Sequence, residues 1–282
     1  AKRKGIWFGW RASTAAAARD LQAWHDTEKG QKMQRFRESL PAARVRGELA
    51  RLLGGGQVVL VHGETGSGKT TQIGQFLLEG AADGSPPRVV VTQPRRFAAV
   101  SVATRVAEER GERVGEGSVG YVVRGESKMR SESCQLLFCT LGVLLRRLVA
   151  DGLDAMFGPD TMTHLILDEV HERSMDMDFA LTLLRHKLPA RPELKVLLMS
   201  ATMDVGALGG LFPAAPPVLQ IPGRTFPVEE LHLDDVEDLL GTVAATSWAS
   251  PAPARRGGGP EEAGEGEDEA PDDWDAADEL GE

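Results

Sequence analysis

A chain of 282 residues with 41% apolar content can fill one core of ordinary domain size, with residues left over for irregular ends. No apolar run approaches the roughly 18 residues of a membrane span, and no apolar signal core follows the basic and aromatic start, Ala1-Lys2-Arg3-Lys4-Gly5-Ile6-Trp7-Phe8. The net charge of −10 sits in one place: Pro251 to Glu282 holds twelve acidic and two basic side chains, which leaves residues 1–250 neutral with 30 of each sign, so the overall charge does not exclude a nucleic-acid partner.

In chain order, the first 50 residues carry eleven basic and five acidic side chains. Thr14 to Trp24 and Lys29 to Leu40 read as short helices, neither able to form a core alone. Arg44 to Leu53 sets Val45, Leu49, Leu52 and Leu53 on one helical face, as a docking helix would. Val58 to His62 reads as a buried strand, Lys69 to Glu79 as a helix, Val89 to Thr92 as a second strand and Ala98 to Glu109 as a second helix of the same unit. The spacing then predicts strands at Val119 to Val123 and Gln135 to Cys139, a helix over Gly142 to Val149, and a strand over His164 to Asp168. A helix over Met175 to Leu188 and a strand over Lys195 to Ser200 close the series. The alternation predicts an α/β fold with a mostly parallel sheet, and the near-continuous Val/Ile/Leu strands require helices on both faces. Ala81 to Pro87 reads as surface loop. After Phe212 the pattern weakens through Pro213, Pro216, Pro217 and Pro222, with a strand at Val228 to Leu233 and a short helix at Val236 to Leu240. The acidic tract beyond Ser250 buries too little apolar surface to fold.

The cysteines, Cys134 and Cys139, form neither a disulfide framework nor a metal knuckle. They are expected as core thiols in a reducing compartment, the cytoplasm or the nucleus.

Four segments carry chemistry. Gly63-Glu64-Thr65-Gly66-Ser67-Gly68-Lys69-Thr70 fits G-x-x-x-x-G-K-[ST] between an apolar strand and a helix, and Thr71 follows. Its glycines let backbone N–H groups wrap phosphate oxygens at a helix N-terminus; Lys69 is set to neutralise β/γ-phosphate charge and the Thr70 hydroxyl to hold Mg²⁺. Asp168 and Glu169 end an apolar strand: Asp168 is expected to orient the metal shell, with Glu169 beside it to accept a proton from the attacking water. His171 lies two residues on, more in the position of a phosphate sensor than of a metal ligand with His164. Ser200-Ala201-Thr202 ends another strand; alone it is a plain turn, and in a nucleotide-binding sheet it can relay the state of the γ-phosphate. Arg95 and Arg96 follow the second strand, either as ordinary surface or as a grip on phosphodiester oxygens at the edge where parallel sheets bind ligands.

Together these segments resemble the first RecA-like motor domain of the DEAH-box and related RNA helicases of superfamily 2, from about Phe36 to Glu230. GETGSGKTTQ is similar to motif I, TQPRRFAAVSVATRVAEERG to an extended motif Ia, VGYVVRGES to the following segment and CTLGVLLRRL to motif Ib. LILDEVHERSMDMDF resembles motif II, LMSATMD motif III, and IPGRTFPVE the crossing into a second domain. The box reads DEVH where the family name has DEAH, a change of volume and not of charge that leans toward the larger multidomain members.

The resemblance implies ATP and Mg²⁺ as ligands and RNA as the partner. It gives Lys69, Thr70, Asp168 and Glu169 the roles above, couples His171 to the domain interface, and links Ser200 and Thr202 to unwinding. It makes Arg105 the residue that stacks on the base, and puts Arg95, Arg96, Thr140 and Gly142 on the backbone of a bound single strand. It also implies a second RecA-like domain with an arginine finger, a group worth roughly 10³ to 10⁵ in turnover in other NTPases. Nothing after Glu230 resembles that domain, so the expectation is a chain that binds nucleotide, hydrolyses it poorly and unwinds nothing: a piece of a larger helicase or an incomplete gene model, with a degenerate protein as the alternative. The domain plan is an N-terminal helical extension at 1–40, the ATP-binding domain at 41–222, the start of a truncated second domain at 223–240 and an acidic tail at 241–282, a solvated linker or a protein-binding segment. Two rival readings remain, a P-loop ATPase unrelated to nucleic acid and a non-catalytic RNA-binding scaffold.

Overall fold

The structure is a computed structural model describing residues 14–80, 87–130, 133–151, 162–202, 208, 210–212, 214–223, 230–233, 235–236 and 240. The chain divides into two compact units, 1–226 and 227–282. In the first, the elements are α1 (Thr14–His25), α2 (Glu28–Ser39), a 3-10 turn (Pro41–Val45), α3 (Arg46–Gly55), β1 (Val58–Gly63), α4 (Lys69–Glu79), β2 (Val89–Gln93) and α5 (Arg96–Glu109). There follow β3 (Val119–Val123), β4 (Glu126–Lys128), β5 (Leu136–Thr140), α6 (Leu141–Asp151), β6 (His164–Leu167), α7 (Met175–Lys187), β7 (Lys195–Ser200) and β8 (Val218–Ile221).

The eight strands form one sheet in the order β4-β3-β5-β2-β6-β7-β1-β8. Every pairing is parallel except the antiparallel β3–β4 edge. Side chains alternate between faces as the pleat requires. Val59, Val61, Val91, Ile166, Leu197 and Met199 join the core under α3, α4 and α5. Leu60, Val90, Leu165, Leu167, Val196 and Leu198 join the one under α6 and α7. Two buried layers around one sheet are the RecA-like α/β arrangement, with Cys134 and Cys139 as buried free thiols within it.

The α4 helix lies close against β5 because Gly74 has no side chain there: a Cβ would come within 2.9 Å of Leu136 Cδ1. Helix α2 opens with Thr27, whose hydroxyl accepts from the Gly30 N–H. It docks through buried Arg37, which donates from Nε to Gln72 Oε1 at 2.9 Å and from Nη2 to Glu79 Oε1 at 2.8 Å.

The structure departs from the sequence reading at three places in this unit. The segment expected as one helix from Arg44 starts as the 3-10 turn and becomes α-helical only at Arg46; Pro41 sits in its first turn, where its missing N–H costs nothing. Strand β8 forms inside the proline-rich stretch read as irregular: Pro216 and Pro217 precede it, Pro222 follows it, and its pairing with β1 begins where Leu60 N donates to Pro217 O at 2.9 Å. Strand β4 has only exposed polar side chains and exists through its backbone pairing with β3, after a turn in which Gly125 takes φ +82°.

In the second unit, Glu230–His232 carries no strand, His232 N donates to Asp235 Oδ2 at 2.8 Å, and Val236 N returns to His232 O. The strand expected at Val228 to Leu233 is thus not formed over residues 230–233, while residues 228–229, residues 237–239 of the helix expected at Val236 to Leu240, the expected loop at 81–86 and the acidic tail from 241 on lie outside the described residues.

Candidate functional site

Because β1, β2, β5, β6 and β7 run parallel, their C-terminal ends share one edge, and the residues singled out for chemistry lie at strand ends, in loops or at helix starts along it, except Arg105, which stands in the second half of α5. At the end of β1, Gly66 (φ +80°) and Gly68 (φ +87°) take left-handed backbone that a side chain would strain. A Cβ on Gly68 would also meet Leu40 at 3.1 Å. The turn is closed by Ser67 N donating to Glu64 O and anchored from outside by Ala42 N donating to Ser67 O. Ser67 is buried, with its hydroxyl unpartnered. Helix α4 begins at Lys69, so its free N–H groups and the positive end of its dipole face the loop.

The acidic residues meet this loop. Asp168, 1% exposed just past β6, accepts from Thr70 Oγ1 and from Gln93 Nε2 through Oδ2, both at 2.8 Å, and from the Glu169 N–H through Oδ1 at 2.9 Å. Burial raises its pKa above the ordinary carboxylate value, while the Gln93 and Thr70 hydrogen bonds oppose the shift. Glu169 has φ +55°, uncommon for a residue with a side chain. Its Oε1 lies 3.6 Å from Lys69 Nζ and its Oε2 lies 3.3 Å from His171 Nδ1. That second oxygen is buried without a hydrogen bond, the His171 ring being close but not aligned to donate.

A cavity of about 320 Å³ joins these groups. Thr65, Gly66, Gly68, Lys69, Thr70, Thr71, Arg105 and Glu169 line it as the motif reading groups them, together with Phe36, Leu40 and Glu109, which that reading did not include. Gly63 ends β1, Glu64 is exposed on the loop, and Asp168 lies beneath the cavity floor, reached through Thr70. His171, Ser200 and Thr202 line a second cavity of about 310 Å³ instead, so His171 touches the first only through Glu169. Ser200 pairs in register with His62 of β1, Ser200 Oγ donates to Thr202 O, and His62 Nε2 lies 3.2 Å from Ala201 O, which ties the end of β7 to the strand ahead of the loop.

Arg95, Arg96, Thr140 and Gly142 gather at the neighbouring ends of β2 and β5, where Gln93 and Thr140 are register partners. Arg95, Arg96 and Gly142 are exposed, and Arg95 makes a solvent-screened ion pair with Glu172 at 3.7 Å. His164 sits at the far end of β6 from Asp168, and no group of three or more metal-ligating side chains is found among the described residues. Gln93, Phe36, Leu40 and Glu109 are the site residues that the sequence reading missed. Gln93 and Glu109 were within reach, since both lie in the segment similar to motif Ia, whereas Phe36 and Leu40 arrive with the N-terminal extension and carry no motif.

The sequence pattern of the DEAD/DEAH box helicases matches residues 47–208, more than half of the chain and all of the site strands β1 to β7. This chain belongs to the DEAD/DEAH box helicase family. Among curated proteins it is 48% identical over 223 residues to the DExH-box ATP-dependent RNA helicase DExH3 of Arabidopsis thaliana, covering 78% of this chain and 18% of that protein. It is 44% identical over 236 residues to the putative ATP-dependent RNA helicase DHX57 of Homo sapiens (81% and 16%), and 41% identical over 230 residues to the ATP-dependent DNA/RNA helicase DHX36 of Bos taurus (78% and 22%). The chain thus spans about a fifth of the length of these relatives. Within this DEAD/DEAH box helicase domain, the valine of Asp168-Glu169-Val170-His171 is buried in the core under α6 and α7, so its extra volume is absorbed by apolar packing and leaves the acids untouched. No helix among the described residues is long and apolar enough to cross a membrane.

Proposed function

We propose that this chain is the ATP-binding motor domain of an ATP-dependent RNA helicase, and that its 320 Å³ cavity takes Mg-ATP. The observation that carries the reading is the 2.8 Å hydrogen bond from Thr70 Oγ1 to Asp168 Oδ2, which joins residues 98 apart in sequence at the phosphate loop. A hydroxyl and a buried carboxylate held together beside a lysine are the oxygen donors a hard divalent cation takes. The unpartnered Ser67 hydroxyl and Glu169 Oε2 are further polar atoms left free in the same region.

In this reading, Gly63 to Thr71 wrap the phosphates with backbone N–H groups, and Lys69 turns from Glu169 to the β/γ-phosphates. Thr70 and Asp168 hold the metal with Glu169 near it; bound magnesium supplies charge neutralisation at the phosphate oxygens. Glu169 accepts a proton from the attacking water through its free oxygen, with His171 orienting the carboxylate. Ser200 and Thr202 relay the nucleotide state through β7, and Arg105 stacks on the base. Arg95, Arg96, Thr140 and Gly142 hold the backbone of a single RNA strand, which positions it without reading its sequence. Turnover and unwinding need a second RecA-like domain in cis. The plan is an extension at 1–40, the motor domain at 41–222, the start of the second domain at 223–240 and an acidic tail at 241–282 open to a protein partner, in a protein of the cytoplasm or nucleus.

Titration with a fluorescent ATP analogue tests the site. Lys69→Ala is expected to weaken binding at least tenfold, the loss of a charge-assisted contact worth about 1.5 to 3 kcal/mol, while circular dichroism stays unchanged. Equal affinity in the two proteins would remove the assignment.

A further inference from the structure

We infer that Phe36, on helix α2 of the N-terminal extension, is a positioning residue for the nucleobase: its ring and Glu109 together hold the Arg105 guanidinium in place beside the phosphate cavity. The inference rests on the nucleotide reading above and adds to it a contribution from outside the motor motifs.

Arg105 projects from α5 into the lining that also holds Lys69 and Thr70. Its guanidinium lies over the Phe36 ring, with Cζ 5.3 Å from the ring centroid. Its Nε donates to Glu109 Oε1 at 2.9 Å. Glu109 cannot swing away, because its other oxygen accepts from Gln72 Nε2 and Gln75 Nε2, both at 2.8 Å, and its side chain is 1% exposed. Gln72 also donates to Thr71 Oγ1 at 3.0 Å and accepts from Arg37, the neighbour of Phe36 on α2. A planar cation is therefore held at its Nε edge by Glu109 and attracted to the Phe36 ring, with its position set by the same α4 residues that follow the phosphate loop. Nucleobases stack on planar cations through their π faces, and a cation already held in place loses little freedom when the base arrives. Phe36 is itself 45% exposed, so its ring is accessible from the cavity that it lines.

The test is equilibrium titration of the 282-residue chain with ATP and with inorganic tripolyphosphate, which has the phosphates and no base. The proteins are wild type, Phe36→Ala, Phe36→Tyr, Arg105→Ala and the Phe36→Ala/Arg105→Ala double variant. Phe36→Ala is expected to weaken ATP about three- to tenfold while tripolyphosphate stays within about twofold, and Phe36→Tyr is expected to restore ATP binding. In the Arg105→Ala background, Phe36→Ala should add nothing, since the two residues act as one unit. Equal weakening of both ligands, unchanged ATP affinity in Phe36→Ala, or full additivity in the double variant would each overturn the positioning role. Wild-type protein that binds neither ligand would overturn the nucleotide reading and this inference together, whereas intact wild-type ATP binding beside an unaffected Phe36→Ala would overturn the inference alone.

Discussion

Glu169 holds a left-handed backbone, and one of its carboxylate oxygens is buried without a hydrogen bond. Each feature costs free energy, of the order of 1 to 3 kcal/mol, and their coincidence on one side chain beside Lys69 is the pattern expected where a group is held ready for a reactant. Asp168, one residue earlier, instead accepts from Thr70, Gln93 and the Glu169 N–H. The two acids are thus set apart by surroundings: one positioned, the other with capacity to spare. In the complete protein, Glu169→Gln should bind ATP within about threefold of wild type and lose at least about 100-fold in single-turnover hydrolysis, the lower end of what a general base supplies. Retained turnover would exclude Glu169 as the base.

The elements differ in how far their own residues specify them. The strands β1, β2, β5, β6 and β7 are apolar runs buried on both faces, and the phosphate loop is contiguous in sequence, so both were legible before any coordinates. β4 and β8 were not, because each exists through a neighbour: β4 through backbone pairing to β3, and β8 through β1 between prolines that bound it without entering it. Phe36 escaped for the same reason, since its role depends on α2 and α5 meeting across α4. Strand β6 carries a device of its own at its first residue. Burial, helped by Lys195, pushes the His164 pKa down to about 4 from 6.5. His164 is therefore neutral in the folded chain, while the unfolded chain takes up the proton as pH falls below 6.5, so stability is lost between pH 6.5 and 4 and fully present above. His164→Leu should remove about 2 kcal/mol of that loss, read as the difference between the two proteins in urea unfolding at pH 7 and pH 5. Parallel pH profiles would contradict it.

Across the whole motor domain, one edge of the sheet carries two neighbouring zones. The residues proposed for nucleotide stand at the ends of β1, β6 and β7, and Arg95, Arg96, Thr140 and Gly142 at the ends of β2 and β5. Gln93 belongs to both: it ends β2 opposite Thr140 and donates to Asp168. On the proposed reading, a change at Asp168 therefore has a route through Gln93 to the strand ends proposed to hold RNA. Single-stranded RNA affinity, measured by fluorescence anisotropy, should shift at least about threefold when a magnesium-bound ATP analogue is added, whereas affinity blind to nucleotide would favour a scaffold over a motor. The most direct measurement on the central claim is a crystal structure of this chain with magnesium and a non-hydrolysable ATP analogue. The account predicts the triphosphate inside the turn from Gly63 to Thr70, the metal between the Thr70 hydroxyl and Asp168, and the base on Arg105. Phosphates bound elsewhere, or a metal remote from Asp168, would contradict it.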